Sequence, residues 1–356
     1  MLEREAVAAG ASGRNQGVVQ HPFDPILATL HAGTLAVYRE LADELDVGFC
    51  MRGEPAGLLL VTDTESAAAA MAADVHRSVP ALRPELLAPE DVRRLEPAMA
   101  DGIAACRLET GYPVPPGSAT RSLAESARRS GARFERAEAS PWLEGDRCLG
   151  VEVGAGPGAE RIAAGSVLLA TGAWSGDLDL GGRWPIPIRP LWGAVVSVDL
   201  AQPPHHVLEE IGVDSIGLDG GPEAERRVAP SSRIPSIFSL VTAAGVSGVG
   251  ATVLTERPDE ETVGPVLVER GVPFVPALAT AARLGVRVCP RPATPDGRPL
   301  IGPVPGLDGL YVCAGHGPWG ISTGPASARL AAELMLGRDV GIPPEFSPAR
   351  FLAGAS

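Results

Sequence analysis

CPRPATPDGRPLIGPVPGLDGLYVCAGHGPWGISTGPASARLAAELMLG, residues 289–337, carries the densest chemistry in the chain. Within it LYVCAG (310–315) is a continuous apolar run, the pattern of a strand buried on both faces. That strand delivers Gly315, His316 and Gly317 to its end. A helix follows from about Thr323, with Pro325 near its start and Gly337 just past its end. A helix N-terminus carries roughly half a positive charge and unfilled N–H groups, so an anionic ring laid against this one is stabilised. Upstream, Arg291 precedes Pro292, which holds its backbone extended and fixes the direction of its side chain. Thr294 to Gly297 then makes a turn. The plainer alternative is a strand–loop–helix packing unit with a solvated Arg and His. Three glycines within 315–320, beside a His and a Trp, favour a site.

Two earlier stretches have the same character. SVLLATGAWSG (166–176) reads as a doubly buried strand ending in Ala170-Thr171-Gly172. The missing side chain there lets a planar ligand lie on the backbone, with Trp174 to cover it; an ordinary strand end is the alternative. The chain begins MLEREAVAAGASGRNQGVV, where Leu2 and Glu3 read as the end of a strand and a small-residue turn follows at once. An acidic residue closing a strand in this way is the second half of a dinucleotide fold. Glu3 would bond both hydroxyls of an adenosine ribose, and Gly10, Ala11 and Ser12 would let the backbone approach a pyrophosphate. A surface Glu on a flexible terminus is the alternative.

The remaining segments supply the frame. Asp24-Pro25 reads as an N-cap and first helical residue, after which Leu27, Leu30, Leu35, Tyr38, Leu41 and Leu45 recur at helical spacing. Residues 53–63 are a turn and a short buried strand, 64–78 a capped helix, 88–97 another short one, and Ser118 opens a helix stopped by Gly131. Residues 133–170 alternate like an antiparallel meander, and 190–285 mix short strands and turns with a helix near 258–271. There are no internal repeats. The expectation is an α/β chain, α+β overall. A Rossmann-like nucleotide-binding domain occupies 1–47, 105–188 and 288–352, and an antiparallel-sheet domain is inserted as 48–104 and 189–287.

Composition narrows the function. With 356 residues the chain is long enough for two domains, and its 45% apolar content is that of a soluble enzyme. The net charge of −13 argues against nucleic acid, which needs a basic face. No apolar run approaches a membrane span, and no signal peptide is visible. Five scattered cysteines argue against a disulfide framework and for a reducing cytoplasm. No Cys or His pair has zinc spacing, so no metal is expected, and His205-His206 reads as a solvated loop.

Glu3 with AGASGRNQG, ATGAWS, RPATPDGRPLIG and GLYVCAGHGPWGISTGP stand in one order along nearly the whole chain. In these residues the sequence resembles the D-amino-acid-oxidase-like FAD-dependent oxidoreductases, in the glycine oxidase and sarcosine oxidase group. In that family a GxGxxG turn lies just before the strand that ends in the ribose-binding Glu. Here that unit, about 30 residues, is missing, so the FAD-binding domain is expected to be N-terminally incomplete. The expectation is a true start upstream of Met1, because every later motif is intact; the alternative is a truncated remnant with impaired flavin binding.

The resemblance implies FAD as cofactor. Its ribose would meet Glu3, while Ser12, Arg14 and Asn15 would lie near the diphosphate and flavin. Thr171, Gly172 and Trp174 would line the cofactor, and Gly315, His316, Gly317, Gly320 and Ile321 would contact the isoalloxazine. Arg291 matches the family arginine that pairs with a substrate carboxylate, a role suited to a charged, bidentate guanidinium. His316 and Trp319 join it as catalytic candidates, Trp319 as roof or wall of the substrate pocket or, alternatively, as a core aromatic. The implied reaction is hydride transfer from the α-carbon of a small amine or amino acid (glycine, sarcosine or D-amino-acid type) to flavin, with oxygen or another acceptor taking the electrons. The alternative on the same fold is 2-hydroxy-acid oxidation, since Arg291 would hold either carboxylate. Cys289 stands five residues before Thr294-Pro295-Asp296, as in the sarcosine oxidases that carry flavin covalently on this cysteine. Those enzymes follow GHG with Phe-Lys, whereas Pro318-Trp319 stand here, so an inert thiol and non-covalent FAD are expected.

Overall fold

A computed structural model describes residues 1–44, 47–154, 156, 158–212 and 234–352 of the chain. Leu45, and residues 213–233 of the expected inserted domain, lie outside the described residues. Strand β1 (Leu2–Glu3) leads through a tight turn to the single helical turn α1 (Ala11–Arg14), then to β2 (Val18–Val19) and helix α2 (Pro25–Asp43). Asp24 caps α2 as its sequence announces: its carboxylate accepts from the Ile26 and Leu27 amides at 2.7 and 3.1 Å. Leu27, Leu30, Tyr38 and Leu41 form its buried stripe. There follow β3 (Leu58–Thr62), α3 (Glu65–Ser78), β4 (Glu85–Leu87), α4 (Pro89–Leu95), β5 (Ala104–Leu108), β6 (Tyr112–Pro113) and α5 (Ser118–Arg129). Thr64 precedes α3 but does not cap it; its hydroxyl turns to Thr62 Oγ1 instead, 3.2 Å away.

Strand β7 (Glu135–Arg136) pairs in parallel with β1, so Leu2 and Glu3 are strand residues. The expected meander is β8 (Ala139–Glu144), β9 (Arg147–Val153) and β10 (Glu160–Ala163), an antiparallel sheet in the order β10-β9-β8. Strand β11 (Val167–Leu169) is an edge strand rather than one buried on both faces. It pairs in parallel with β18 (Leu310–Ala314), which pairs antiparallel with β17 (Leu300–Pro303), and Val167 and Leu168 stay half-buried. Among the described residues the parallel pairing expected of the nucleotide-type domain is therefore divided between two small sheets.

The large sheet has eight strands. It adds β12 (Arg189–Asp199), β13 (Val207–Glu210), β14 (Ser236–Ala243), β15 (Val246–Thr252) and β16 (Ala282–Ala293) in the order β16-β12-β15-β14-β13-β3-β5-β4. Every pair is antiparallel except β13 with β3. The boundaries expected at 104/105 and 287/288 fall inside β5 and β16, so both strands belong whole to this sheet.

Alternation gives the sheet two different faces. One carries Leu59, Val61, Val196, Leu208, Leu240, Val249 and Val288 under Val263 and Leu267 of helix α6 (Glu260–Gly271), a continuous apolar core. The other is most apolar at the β3–β5 end, where Leu58, Leu60, Cys106, Leu108, Val207 and Val241 pack with Val75 of α3 and with Val18. Following the register, Leu60 opposes Glu209, Glu209 opposes Ser239, Ser239 opposes Gly250, Gly250 opposes Val195, and Val195 opposes Arg287. Towards β16 this second face carries glycines, serines and arginines with Leu191, Val195 and Cys289 buried among them, and the N-terminal segment lies on it.

The last helix, α7, runs from Gly320 to Met335, three residues earlier than the sequence indicates. Pro325 sits inside it and removes the N–H that would bond the Ile321 carbonyl. The buried Tyr38 hydroxyl of α2 donates to that carbonyl instead, at 3.0 Å, which lets the helix run through the proline.

Candidate active site

Arg287, Cys289 and Arg291 are alternate residues of β16 and leave the same sheet face. Arg291 Nη1 donates to the Thr252 carbonyl at 2.7 Å. Its guanidinium lies flat over Gly193, where a Cβ would come within 2.3 Å of Cζ; only glycine admits it there. Burial lowers the pKa of both Arg287 and Arg291, the Cys289 thiol opposing this, and both remain cations. Burial pushes the Cys289 thiol up, against the pull of Arg291, Arg14 and Arg287, so it stays a neutral thiol among three guanidinium groups.

The N-terminal segment closes over this face. Arg14 Nη1 donates to the Val288 carbonyl at 3.3 Å. Gln16 donates to the Gly248 carbonyl at 3.0 Å and accepts from Ser239 Oγ at 2.9 Å. The turn before α1 requires Gly13, whose Cβ would lie 1.8 Å from the Ala8 carbonyl oxygen. Asn15 Nδ2 donates to the Ser12 carbonyl at 2.8 Å, and its Oδ1 is buried without a partner. Glu3 accepts the Glu5 amide on Oε1 at 3.0 Å, a bond within its own turn.

The 315–317 turn meets β16 from the other side. Ala293 and His316 form an antiparallel bridge. Gly315 has φ +86°, and a Cβ there would sit 2.7 Å from Thr294 Cγ2. The 294–298 turn is braced: Thr294 Oγ1 donates to the Arg298 carbonyl at 2.7 Å, Arg298 reaches Asp24 at 3.0 and 3.1 Å, and Arg350 grips Asp296 at 2.7 and 3.0 Å. The His316 ring has a buried Nε2 without a partner, and burial lowers its pKa to about 4, so the imidazole is neutral at pH 7.

Thr171 and Ser175 share a hydroxyl–hydroxyl bond of 2.8 Å that shapes the turn Gly172–Asp177. Trp174 lies against Gly10, 3.6 Å from where its Cβ would be, with the Arg4 guanidinium 5.0 Å over the ring. The 10–16, 171–176, 288–294 and 315–317 segments, which the sequence leaves far apart, are therefore gathered around the end of β16.

Some expectations are corrected. Trp319 is half-buried and packs against the cluster of Leu27, Leu30, Ile301, Ala326 and Phe346 between α2 and α7. The side chain of Ile321 packs in the neighbouring cluster with Tyr38 and Tyr112. The His205-His206 loop is not simply solvated: buried Glu96 accepts both backbone amides and His206 Nδ1, the last at 2.6 Å. Burial pushes the Glu96 carboxyl up, but these bonds and the His206 ring outweigh it and hold the group below its ordinary value. The sequence reading missed Gln16, Gly193, Thr252 and Arg287; the two-residue spacing in RVCPR (287–291) was the available signal for Arg287. Concavities of about 380 Å³ beside Glu210 and Arg270 and about 420 Å³ beside Pro303 and Tyr311 contain none of the candidate residues.

The residues present fit a flavin. At Gly172 and Gly317, both with positive φ, and at Gly324 an added Cβ would meet nothing within 4 Å, so the backbone there borders open space. The start of α7 has no side-chain cap and no acidic residue in its first turn, which leaves donors for an anionic ring edge. Among the described residues no group of three His, Cys, Asp or Glu is placed to hold a metal ion, and no helix is long and apolar enough to cross a membrane.

The chain is 32% identical to a glycine oxidase of Pseudomonas aeruginosa over 237 residues, 64% of this chain and 58% of that protein. It thus spans less than two thirds of that relative's length. In fold it is similar to the iminodiacetate oxidase of Chelativorans sp. BNC1, with a TM-score of 0.80 at 21% identity over 98% of this chain and 91% of that one. It is equally similar to the glycine oxidase of Geobacillus kaustophilus, with a TM-score of 0.79 at 22% identity over 99% and 92%. The family model described as FAD dependent oxidoreductase matches residues 1–334, and with Arg291, the 171–176 turn and the 315–317 turn assembled at one strand end, the chain belongs to that family, the DAO family.

Proposed function

We propose that the protein oxidises a small amine or amino acid, of the kind named in its glycine oxidase relatives, with FAD as cofactor. The observation that carries this reading is Arg291: a charged guanidinium held flat over Gly193 on an otherwise glycine-rich face, beside the turn that ends in His316. FAD, if bound there, would supply the two-electron acceptor for the hydride of the substrate α-carbon, and water would hydrolyse the resulting imine of an amino acid to an oxo acid and ammonia or an amine. Arg291 binds and orients the substrate carboxylate so that one α C–H has a fixed direction. Its bond to the Thr252 carbonyl fixes the guanidinium plane, leaving the remaining N–H groups for a bidentate contact. His316, neutral and desolvated, contributes an unpaired ring nitrogen rather than a charge.

For the cofactor, the residues offered are Glu3, Ser12, Arg14 and Asn15 from the first turn. Thr171, Gly172 and Trp174 come from the second, and Gly315, His316, Gly317, Gly320 and the Ile321 backbone from the third. FAD is held without a covalent bond, since Cys289 is a neutral thiol enclosed by three arginines. The two functional units are 1–47 with 109–188 and 294–352 for the cofactor, and the large sheet for the substrate. Five free cysteines support a reducing compartment such as the cytoplasm.

The test is optical. Purified protein should carry a flavin spectrum, and anaerobic mixing with glycine, sarcosine or a D-amino acid should bleach it. Bleaching by 2-hydroxy acids alone would transfer the reading to hydroxy-acid oxidation. Acid precipitation should release the flavin into the supernatant.

A further inference from the structure

On the reading that Arg291 takes the carboxylate of an amine substrate, we propose that Arg287 takes a second acid group, and that short amino dicarboxylic acids are the preferred substrates. Arg287 sits four residues before Arg291 on the same face of β16. Both guanidinium groups lean the same way along β12, from Leu191 to Gly193 for Arg291 and from Val195 to Ser197 for Arg287, and so stay four residues apart. Arg291 lies over Gly193, whereas Arg287 Nη1 donates to Ser197 Oγ and its Nη2 is 3.6 Å from where a Gly248 Cβ would be. Gly248 opposes Ser197, so Arg287 ends at the Ser197 position of β12. From Gly193 to Ser197 is four residues, about 13 Å along a strand. A charge-assisted N–H···O bond of about 2.8 Å puts guanidinium and carboxylate carbons about 4 Å apart. Two such contacts made from opposite ends leave about 5 Å between the carboxylate carbons. That is the span of an aspartate- or glutamate-sized diacid.

Among the described residues no carboxylate contacts Arg287 or Arg291, and the Nε of Arg287 is buried with no partner. Burial lowers its pKa, the mark of a cation kept from water. A guanidinium held this way without a counter-anion costs stability that a bound carboxylate offsets. Arg14, entering from α1, adds a third positive group to the same patch. Gln16 lies across Gly248 and Gly250 at its margin and excludes water from that side.

The test compares mono- and diacids on the FAD-loaded protein and its R287Q and R287K variants. Calorimetric titration with acetate, succinate and glutarate reads binding without turnover, and kcat/KM is measured on glycine and alanine against aspartate and glutamate, with flavin content as a control. Wild type should bind succinate or glutarate at least about 10-fold tighter than acetate. R287Q should lower the diacid-to-monoacid ratio of kcat/KM by about 10–100-fold, chiefly through KM, and R287K should restore part of it. No diacid preference in wild-type binding, an equal loss for both classes in R287Q, or loss of flavin from R287Q would each overturn the assignment. If glycine or alanine bleaches the flavin and the diacids do not, the second acid site falls and amine oxidation stands. If diacids bind through Arg287 but no amino acid of either set bleaches the flavin, the anion site stands and amine oxidation falls.

Discussion

Gly315→Ala tests whether the candidate site is built as described. Two costs arise at this one carbon. The backbone is held at φ +86°, where an L-residue loses about 1–2 kcal/mol relative to its usual conformations. The new methyl would also lie 2.7 Å from Cγ2 of Thr294, a fully buried residue whose hydroxyl is fixed on the Arg298 carbonyl. Overpacking of that kind costs about 1–3 kcal/mol. The single variant should therefore lose about 2–5 kcal/mol in urea unfolding followed by circular dichroism. Thr294→Ser removes the obstructing methyl and keeps the hydroxyl; alone it should cost about 0.5–1.5 kcal/mol for the small cavity. Together the two changes exchange one methyl for another, so the double variant should retain only the backbone strain of about 1–2 kcal/mol. It should be more stable than Gly315→Ala despite carrying an extra mutation. A double variant at least as unstable as the Gly315→Ala protein would refute the packing of the 315–317 turn on the 294–298 turn.

Other outcomes follow from single contacts. Arg291→Lys should raise KM for carboxylate substrates about 10–100-fold at unchanged flavin content, because a lysine cannot make both parallel bonds; an unchanged KM would remove Arg291 from substrate binding. Gly193→Ala places a Cβ 2.3 Å from Arg291 Cζ and should raise KM in the same direction without touching the substrate itself, a shift read by steady-state kinetics. Glu96→Gln should cost about 1–3 kcal/mol, since it turns an acceptor of three N–H bonds into a weaker, neutral one. The folded-state pKa of Glu96 lies below its ordinary value. Its contribution is therefore present at neutral pH and lost as pH falls through the carboxylate range to that lower value, and the variant's urea midpoint should fall less steeply with acid.

Local signals carried most of the frame. Asp24-Pro25 marked the start of α2 because capping depends on residues a few positions apart, and the two-residue alternation of 139–163 marked the meander. The start of α7 was misplaced because Pro325 reads as a first-turn residue, whereas its missing bond is replaced by Tyr38, nearly three hundred positions upstream. Arg287 was missed, and the surroundings of Trp319 were not legible, for the same kind of reason. Which face of β16 meets the N-terminal segment depends on its pairing with β12, and whether an indole points to a pocket or to a helix pair depends on α2. The motifs gave the residue types of the site but not their orientation.

The glycines on the second face of the large sheet explain how one sheet can be both scaffold and site. Gly193, Gly248 and Gly250 weaken β12 and β15 by about 0.5–1 kcal/mol each relative to alanine. In return the groups above them can lie on the backbone: a Cβ would meet Arg291 at 2.3 Å on Gly193, Val195 at 3.2 Å on Gly248, and Ser239 and Gln16 at 3.1 and 3.2 Å on Gly250. The opposite face has no such gaps; it is closed by valine and leucine under α6. The sheet therefore draws its stability from one side and leaves the other side thin. That asymmetry leaves room for two half-buried cations, Arg287 and Arg291, with no carboxylate on them among the described residues. Filling Gly193 or Gly250 would favour the strand and displace the polar group above it, and filling Gly248 would press on Val195.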